Sequence, residues 1–354
     1  MVQYRLLLGA LALVAPGICQ PMVGGDGKPL VVHDATSTDI AASIAVRDTT
    51  AAEAKTTGAG SEEGQSSIYS EDGDEDDDGS ETDLESRGSV NQFGVSYSPY
   101  RADGNCKSQA EVVDDISRLK GKYGLLRAYG TDCGQVPKIK NAAKTIGAKV
   151  MLGIYDINQV DAEAALIVAG VAGDWARVHS VSVGNELVNN GQASTAQVKA
   201  AVVAARKKLR AAGFRGPVVA VDTFIATKSN PELCECSDFC AVNAHPYFDS
   251  TMTADQAGTW LRREVKAVKA ALSRDMRVMI TETGWPTVGA TNGKAVPGRA
   301  NQEKAIQSIR AAFADSLAEI VLFTAFDDLW KKDAPNDQHW GIDGAVSACD
   351  AAFV

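Results

Sequence analysis

The chain is poor in several things, and each shortage narrows its class. Its 354 residues contain only four histidines, so a histidine-rich metal cluster has little to draw on. There is no Asn-x-Ser/Thr triplet anywhere, so N-linked glycosylation is not expected. Beyond the first residues no stretch approaches the ~20 uncharged apolar residues that a membrane helix needs. The C-terminus, Asp350 to Val354, carries no hydrophobic tail of the kind that signals a lipid anchor. Positive charge is in the minority, 35 Lys and Arg against 45 Asp and Glu for a net charge of −10. Twelve of the acids lie between Ser61 and Glu85, so the rest of the chain is close to neutral, and neither nucleic acid nor an anionic membrane is a sensible partner for the acidic run.

What is present falls into three parts. Met1 to Arg5 is a basic start, followed by the short apolar run Leu6 to Ala15, which ends at Pro16 and Gly17. This pattern predicts a signal peptide over residues 1–19, too short to span a bilayer, and hence an exported protein. Residues 20–90 are rich in Ala, Ser, Thr, Gly and acid. Between Ser61 and Glu85 they hold twelve Asp or Glu and no Lys or Arg. A segment of this composition cannot bury enough apolar area to offset its ordering entropy, so a disordered acidic Ser/Thr-rich region is expected there, able to carry O-linked sugar. The third part, residues 91–354, reads as the folded domain.

Removing the signal peptide takes Cys19 and leaves Cys106, Cys133, Cys234, Cys236, Cys240 and Cys349. An even count in an exported protein argues for disulfides, although six cysteines allow 15 pairings. The Cys234-x-Cys236-x3-Cys240 cluster lacks both the two-by-two spacing of structural zinc sites and a histidine at ligand spacing. No metal and no cofactor are expected.

From Gln92 onward, short β-branched or apolar runs alternate with amphipathic helical patterns. Such alternation is the signature of a parallel sheet wrapped by helices. The predicted strands are 93–97, 124–129, 149–155, 178–184, 218–222, 239–244, 277–282 and 320–326, eight in all. Helical spacing is clear in Ser108 to Lys120, which opens with the capping box Ser108-x-x-Glu111, and in Thr195 to Ala212. The 264 residues of this part match the ~250 of a TIM barrel. The rival, an open doubly wound sheet, is disfavoured because no Gly-rich phosphate loop follows any strand. The expected fold class is α/β, a (β/α)8 TIM barrel preceded by the acidic region.

Active sites of such barrels lie at the C-terminal ends of the strands. The fourth predicted strand runs into Gly184-Asn185-Glu186, and the seventh ends at Thr281-Glu282-Thr283-Gly284. Two carboxyl groups facing one cavity can divide the labour of glycoside cleavage, one protonating the leaving oxygen while the other attacks the anomeric carbon. A shared, partly desolvated site separates their pKa values, because ionising the first disfavours ionising the second. Strands four and seven stand across the barrel mouth, within reach of the ~5–5.5 Å carboxyl separation of a retaining enzyme.

Four segments, Val183 to Glu186, Ile280 to Pro286, Asn243 to Phe248 and Phe326 to Trp330, occur in order at barrel-like spacing. Together they resemble the fungal branch of glycoside hydrolase family 17, over the chain from Phe93 to the end. The resemblance implies β-1,3-glucan as substrate and a retaining mechanism, with Glu186 as acid/base and Glu282 as nucleophile. The acidic region is not part of the shared pattern.

Neighbouring residues suit these roles. Asn185 can donate to the sugar 2-hydroxyl, and Arg127 or Tyr129 can keep Glu282 ionised. Of His245 and Tyr247, one is expected to border the nucleophile and the other to pack. Trp285 and Trp330 follow strands seven and eight and are expected to floor the sugar groove, with Trp340 a weaker candidate. Trp175 and Trp260 are read as packing residues, and His33 and His179 as bystanders. The leading functional expectation is a monomeric, secreted, wall-associated endo-β-1,3-glucosidase. The alternatives are a glucan transglycosylase using the same residues, a non-catalytic glucan-binding wall protein, and a metal-dependent hydrolase, which chelation would inactivate.

Overall fold

The structure, a computed structural model, describes residues 92–344. The expected signal peptide, the acidic region, His33 and Cys349 lie outside the described residues.

Eight parallel strands close into a barrel in sequence order: β1 (Gly94–Ser96), β2 (Leu125–Arg127), β3 (Lys149–Ile154), β4 (Val178–Val183), β5 (Val218–Thr223), β6 (Cys240–Asn243), β7 (Val278–Thr283) and β8 (Ile320–Leu322). Closure is made by β1 against β8, with Gly94 opposite Val321. The helices between them are α1 (Gln109–Ser117), α2 (Gln135–Ile146), α3 (Val160–Val171), α4 (Thr195–Ala211), two short helices α5 (Phe224–Ser229) and α6 (Glu232–Glu235), α7 (Ala257–Ala271) and α8 (Arg299–Ala312). This is the TIM barrel read from the sequence, and the open-sheet alternative is excluded.

Period-two alternation explains the layering. Leu125, Met151, Val219, Val221, Phe239, Ala241, Met279 and Val321 form one buried cluster that fills the barrel. Their neighbours Leu126, Val150, Leu152, Val218, Ala220, Val242 and Ile280 belong to the second cluster, packed with apolar helix residues such as Val112, Ile116 and Val202. Several strands are shorter than their apolar runs. β8 stops at Leu322, short of the predicted end at Phe326, yet Ala325 N–H still donates to Ser96 O, so the chain stays tied to β1 to that point.

Local signals hold where they were clear. Ser108 Oγ accepts the Glu111 N–H and Glu111 reaches back to the Ser108 N–H, a closed capping box. Ser194 and Gln197 make a second box at α4. Each is worth about 1 kcal/mol. Two disulfides are present among the described residues, Cys106–Cys133 and Cys234–Cys240, while Cys236 is half-buried and unbridged there.

Candidate active site

The carboxyl-terminal mouth of the barrel gathers inward-facing polar residues from β1, β2, β6 and β7. β2 alternates Leu125 in, Leu126 out, Arg127 in, which lifts the guanidinium from the apolar interior into the mouth. The residue is 1% exposed. Its Nη1 donates to Glu282 Oε1 at 2.8 Å and to the Thr281 carbonyl at 2.8 Å, and its Nη2 donates to Asn185 Oδ1 at 2.8 Å.

Simple alternation places Glu282 on the face of Ile280, away from the mouth. A register shift prevents this: Val242 stands opposite Ile280, yet Asn243 stands opposite Glu282, so Thr281 is an extra residue in β7. The bulge turns Thr281 and Glu282 to the same side, and both meet the inward-facing Asn243 layer. Thr281 Oγ1 donates to Asn243 Oδ1 at 2.8 Å.

Glu282 is 6% exposed and has three polar partners. Besides Arg127, the Tyr129 hydroxyl donates to Oε1 at 2.8 Å, and His245 Nε2 lies 3.3 Å from Oε2. Tyr129 is itself anchored 2.9 Å from Ser96 Oγ. Burial alone raises the pKa of a carboxyl. Here the Arg127 charge, followed by His245 and Tyr129, outweighs burial and holds Glu282 down at about 2. Burial, reinforced by the Glu282 charge, pushes the Tyr129 phenol well above its ordinary range, so it stays a donor.

Glu186 sits on the turn after β4 with φ +56°, in the left-handed region that costs a side-chain-bearing residue of order 1 kcal/mol or more. Two residues earlier Gly184 has φ +72°, conformationally free only for glycine. The turn is pinned from β5. Glu186 N–H donates to the Val221 carbonyl at 3.0 Å, and the buried Asp222 accepts the N–H groups of Val188 and Asn189 at 2.9 and 3.2 Å. Asn243 Nδ2 donates to Glu186 Oε1 at 2.9 Å. Burial, and after it the Glu282 charge, pushes Glu186 up to about 7. The mouth thus pushes the two carboxyl groups in opposite directions, Glu186 up and Glu282 down.

Of the other expected site residues, Asn185 accepts from Arg127 and Asn243 on its Oδ1, which leaves its amide hydrogens to donate. His245 borders Glu282, as one of the pair was expected to. Tyr247 is instead the packing member, its hydroxyl donating to the Ala290 carbonyl and its ring 5.4 Å from Trp285. Trp285 corrects the sequence reading. It is 0% exposed, its indole N–H donates to the Val296 carbonyl, and it lies beneath the loop that follows β7, so it cannot floor a sugar groove. Trp340 is likewise buried, its ring edge-on to that of His245 with centroids 5.1 Å apart. Trp330 is half-buried on the β8 side of the rim. Trp175 packs on Phe214 and Trp260 on Phe224, while His179 is buried against Phe239 at the base of the barrel.

Sequence reasoning missed Asn243, Asp222 and Ser96. Asn243 ends β6 just as Arg127 ends β2, so the strand-end rule was able to find it. Among the described residues no group of three or more His, Cys, Asp or Glu is placed to hold a metal ion.

A closed parallel barrel with two carboxyl groups at its mouth, one pushed up in pKa and one held down, has the layout of a two-carboxylate glycosidase. Comparison with known proteins gives the family. The model of the BtgE/BtgC glycoside hydrolase domain matches residues 94–341. A cell surface mannoprotein of Candida albicans is 44% identical over 259 residues, 72% of this chain and 67% of the relative. A probable family 17 glucosidase of Saccharomyces cerevisiae is 47% identical over 253 residues, 70% of this chain and 64% of the relative. The chain therefore belongs to the BtgE/BtgC glycoside hydrolase family, and it spans about two thirds of the length of these relatives. In fold it is similar to a family 17 β-1,3-glucanosyltransferase from Rhizomucor miehei, with TM-score 0.64 and 22% identity over 73% of this chain and 96% of that one. It is also similar to an endo-laminarinase from Formosa, with TM-score 0.62 and 19% identity over 72% and 83% of the two chains.

Proposed function

We propose that the protein cleaves β-1,3-glucan with retention of configuration, Glu186 serving as acid/base and Glu282 as nucleophile. The observation that carries this reading is geometric: the carboxyl groups of Glu186 and Glu282 meet the same Asn243–Arg127 link at the barrel mouth, an environment that pushes Glu186 up and holds Glu282 down. Glu282, anionic at neutral pH, attacks the anomeric carbon while neutral Glu186 gives its proton to the departing glycosidic oxygen. A glycosyl ester on Glu282 results. Glu186, now a carboxylate, takes a proton from water as the water oxygen attacks the same carbon and frees Glu282. Asn185 is suited to donate to the sugar 2-hydroxyl, and Arg127, Tyr129 and His245 keep the nucleophile charged and aimed.

The chain's relatives include a cell surface mannoprotein, which supports export to a fungal wall. In this reading residues 1–19 are a cleaved signal peptide, 20–90 an acidic spacer and 91–354 the catalytic domain, acting as a monomer. The deciding experiment is product analysis on defined β-1,3-oligosaccharides with the wild type and Glu282→Gln. Shorter products from the wild type and a loss of at least about 10³-fold in the variant are expected. Products longer than the substrate show transfer to a sugar acceptor instead of water. Near-parental turnover by Glu282→Gln overturns the nucleophile assignment.

A further inference from the structure

Two aromatic side chains at the rim belong to neither buried cluster. The rings of Tyr100, in the loop after β1, and Trp330, in the loop after β8, pack with centroids 4.8 Å apart at 52°, and both are half-buried. Each is held by polar scaffolding. The Tyr100 hydroxyl lies 2.9 and 2.8 Å from the two carboxylate oxygens of Asp132, and the Trp330 indole N–H donates to Asp328 Oδ1 at 2.9 Å. Tyr100 also forms a backbone bridge with Cys106, and Cys106 is joined by its disulfide to Cys133, beside Asp132. A stapled, oriented pair of rings that contributes nothing to either core has the form of a binding platform. Pyranose rings present apolar C–H faces, which flat aromatic surfaces complement.

The topology says which part of the glucan meets it. β4 and β8 stand across the barrel from each other. Glu186, after β4, has to face the departing oxygen, so the leaving sugar lies toward β4. The glycosyl part retained on Glu282 then extends the opposite way, toward β8 and β1. We propose that Tyr100 and Trp330 form a sugar-stacking subsite for glucosyl units on the non-reducing side of the cleaved bond. This rests on the hydrolase reading above and adds to it a specificity-determining platform.

The test is a series of aryl β-glycosides bearing one to four β-1,3-linked glucosyl units on one constant aryl leaving group. Only the retained side then changes in length. In the wild type kcat/KM rises along the series. In Tyr100→Ala and in Trp330→Ala the ratio of kcat/KM between the longest and the shortest member falls roughly three- to tenfold, and Trp330→Phe recovers part of it. A ratio equal to the wild type in both alanine variants overturns the proposal and leaves the hydrolase reading standing. Failure of the wild type to release the aryl group from any member sinks the hydrolase reading instead. Calorimetric binding of β-1,3-oligosaccharides then decides the platform: weaker binding by Tyr100→Ala supports it, and equal affinity overturns it.

Discussion

Asn243 Nδ2 donates to Glu186 Oε1 at 2.9 Å, and the Oδ1 of the same side chain receives Arg127 Nη1, the group that also binds Glu282. The two carboxyl groups are thereby linked through one amide and one guanidinium. Such coupling gives a titration that belongs to the pair, with the first ionisation suppressing the second.

The pH dependence follows from these directions. In the proposed mechanism activity needs Glu186 protonated, so kcat/KM should fall as pH rises through about 7. It needs Glu282 ionised, and its acid limb should lie far lower, toward about 2. Stability carries the opposite sign for the two groups. The folded pKa of Glu282 is depressed, so its contribution is present above its unfolded value and is lost as pH falls through the folded one. The folded pKa of Glu186 is raised, so it destabilises the fold as pH climbs from its unfolded value of 4.5 through about 7. Thermal unfolding of Glu186→Gln against the wild type should show a Tm advantage for the variant that grows over that interval. A gap that does not change with pH contradicts the raised value.

Glu186→Gln should separate substrates by leaving group. Glucan, whose departing alkoxide needs a proton, should lose about 10²–10⁴-fold in rate. An aryl glycoside with an acidic phenol should form the glycosyl-enzyme with a far smaller loss. Pre-steady-state release of the phenol measures that step, and equal losses on both substrates contradict the acid role.

Tyr129→Phe removes the hydroxyl that donates to Glu282 Oε1 and nothing from the Arg127 pair. A hydrogen bond to a charged group is worth about 1.5–3 kcal/mol, so kcat/KM should drop roughly ten- to a hundredfold. The acid limb of the pH profile should move upward, since the carboxylate has lost one of its stabilising donors.

Lys107 and Asp115 form a buried pair at 2.8 Å, 2% and 0% exposed, with the Tyr97 hydroxyl also on Asp115 at 2.8 Å. Lys107→Met leaves the carboxylate uncompensated and should cost about 3–5 kcal/mol in denaturant unfolding. The exposed pair Lys208–Asp161, also at 2.8 Å, provides the contrast. Lys208→Met should change stability by no more than about 1 kcal/mol.

Much of this site was legible because two rules operate on local sequence. Strands declare themselves by apolar runs, and chemistry in a parallel barrel collects where those runs end, which singles out Arg127, Glu186, His245 and Glu282. The same rule failed at Trp285 because it cannot tell which way a side chain turns after leaving the strand. There the loop 287–298 folds back and supplies the Val296 carbonyl that captures the indole. It also passed over Asn243, a small amide without a titrating group, and Tyr100, whose partner Trp330 is 230 residues away along the chain.

The amino-acid order alone determined the eight strands, the Ser108 capping box and a glutamate at the end of each of two strands, because each is written in residues a few positions apart. The closed fold alone decided what depends on distant segments meeting. It chose Cys133 for Cys106 and Cys240 for Cys234 from fifteen possible pairings. It also inserted Thr281 as a bulge that turns Glu282 inward, and it brought Arg127 to one carboxyl while leaving the other to burial. Ionisation responds to burial and to charges a few ångströms off, and neither exists until the barrel closes.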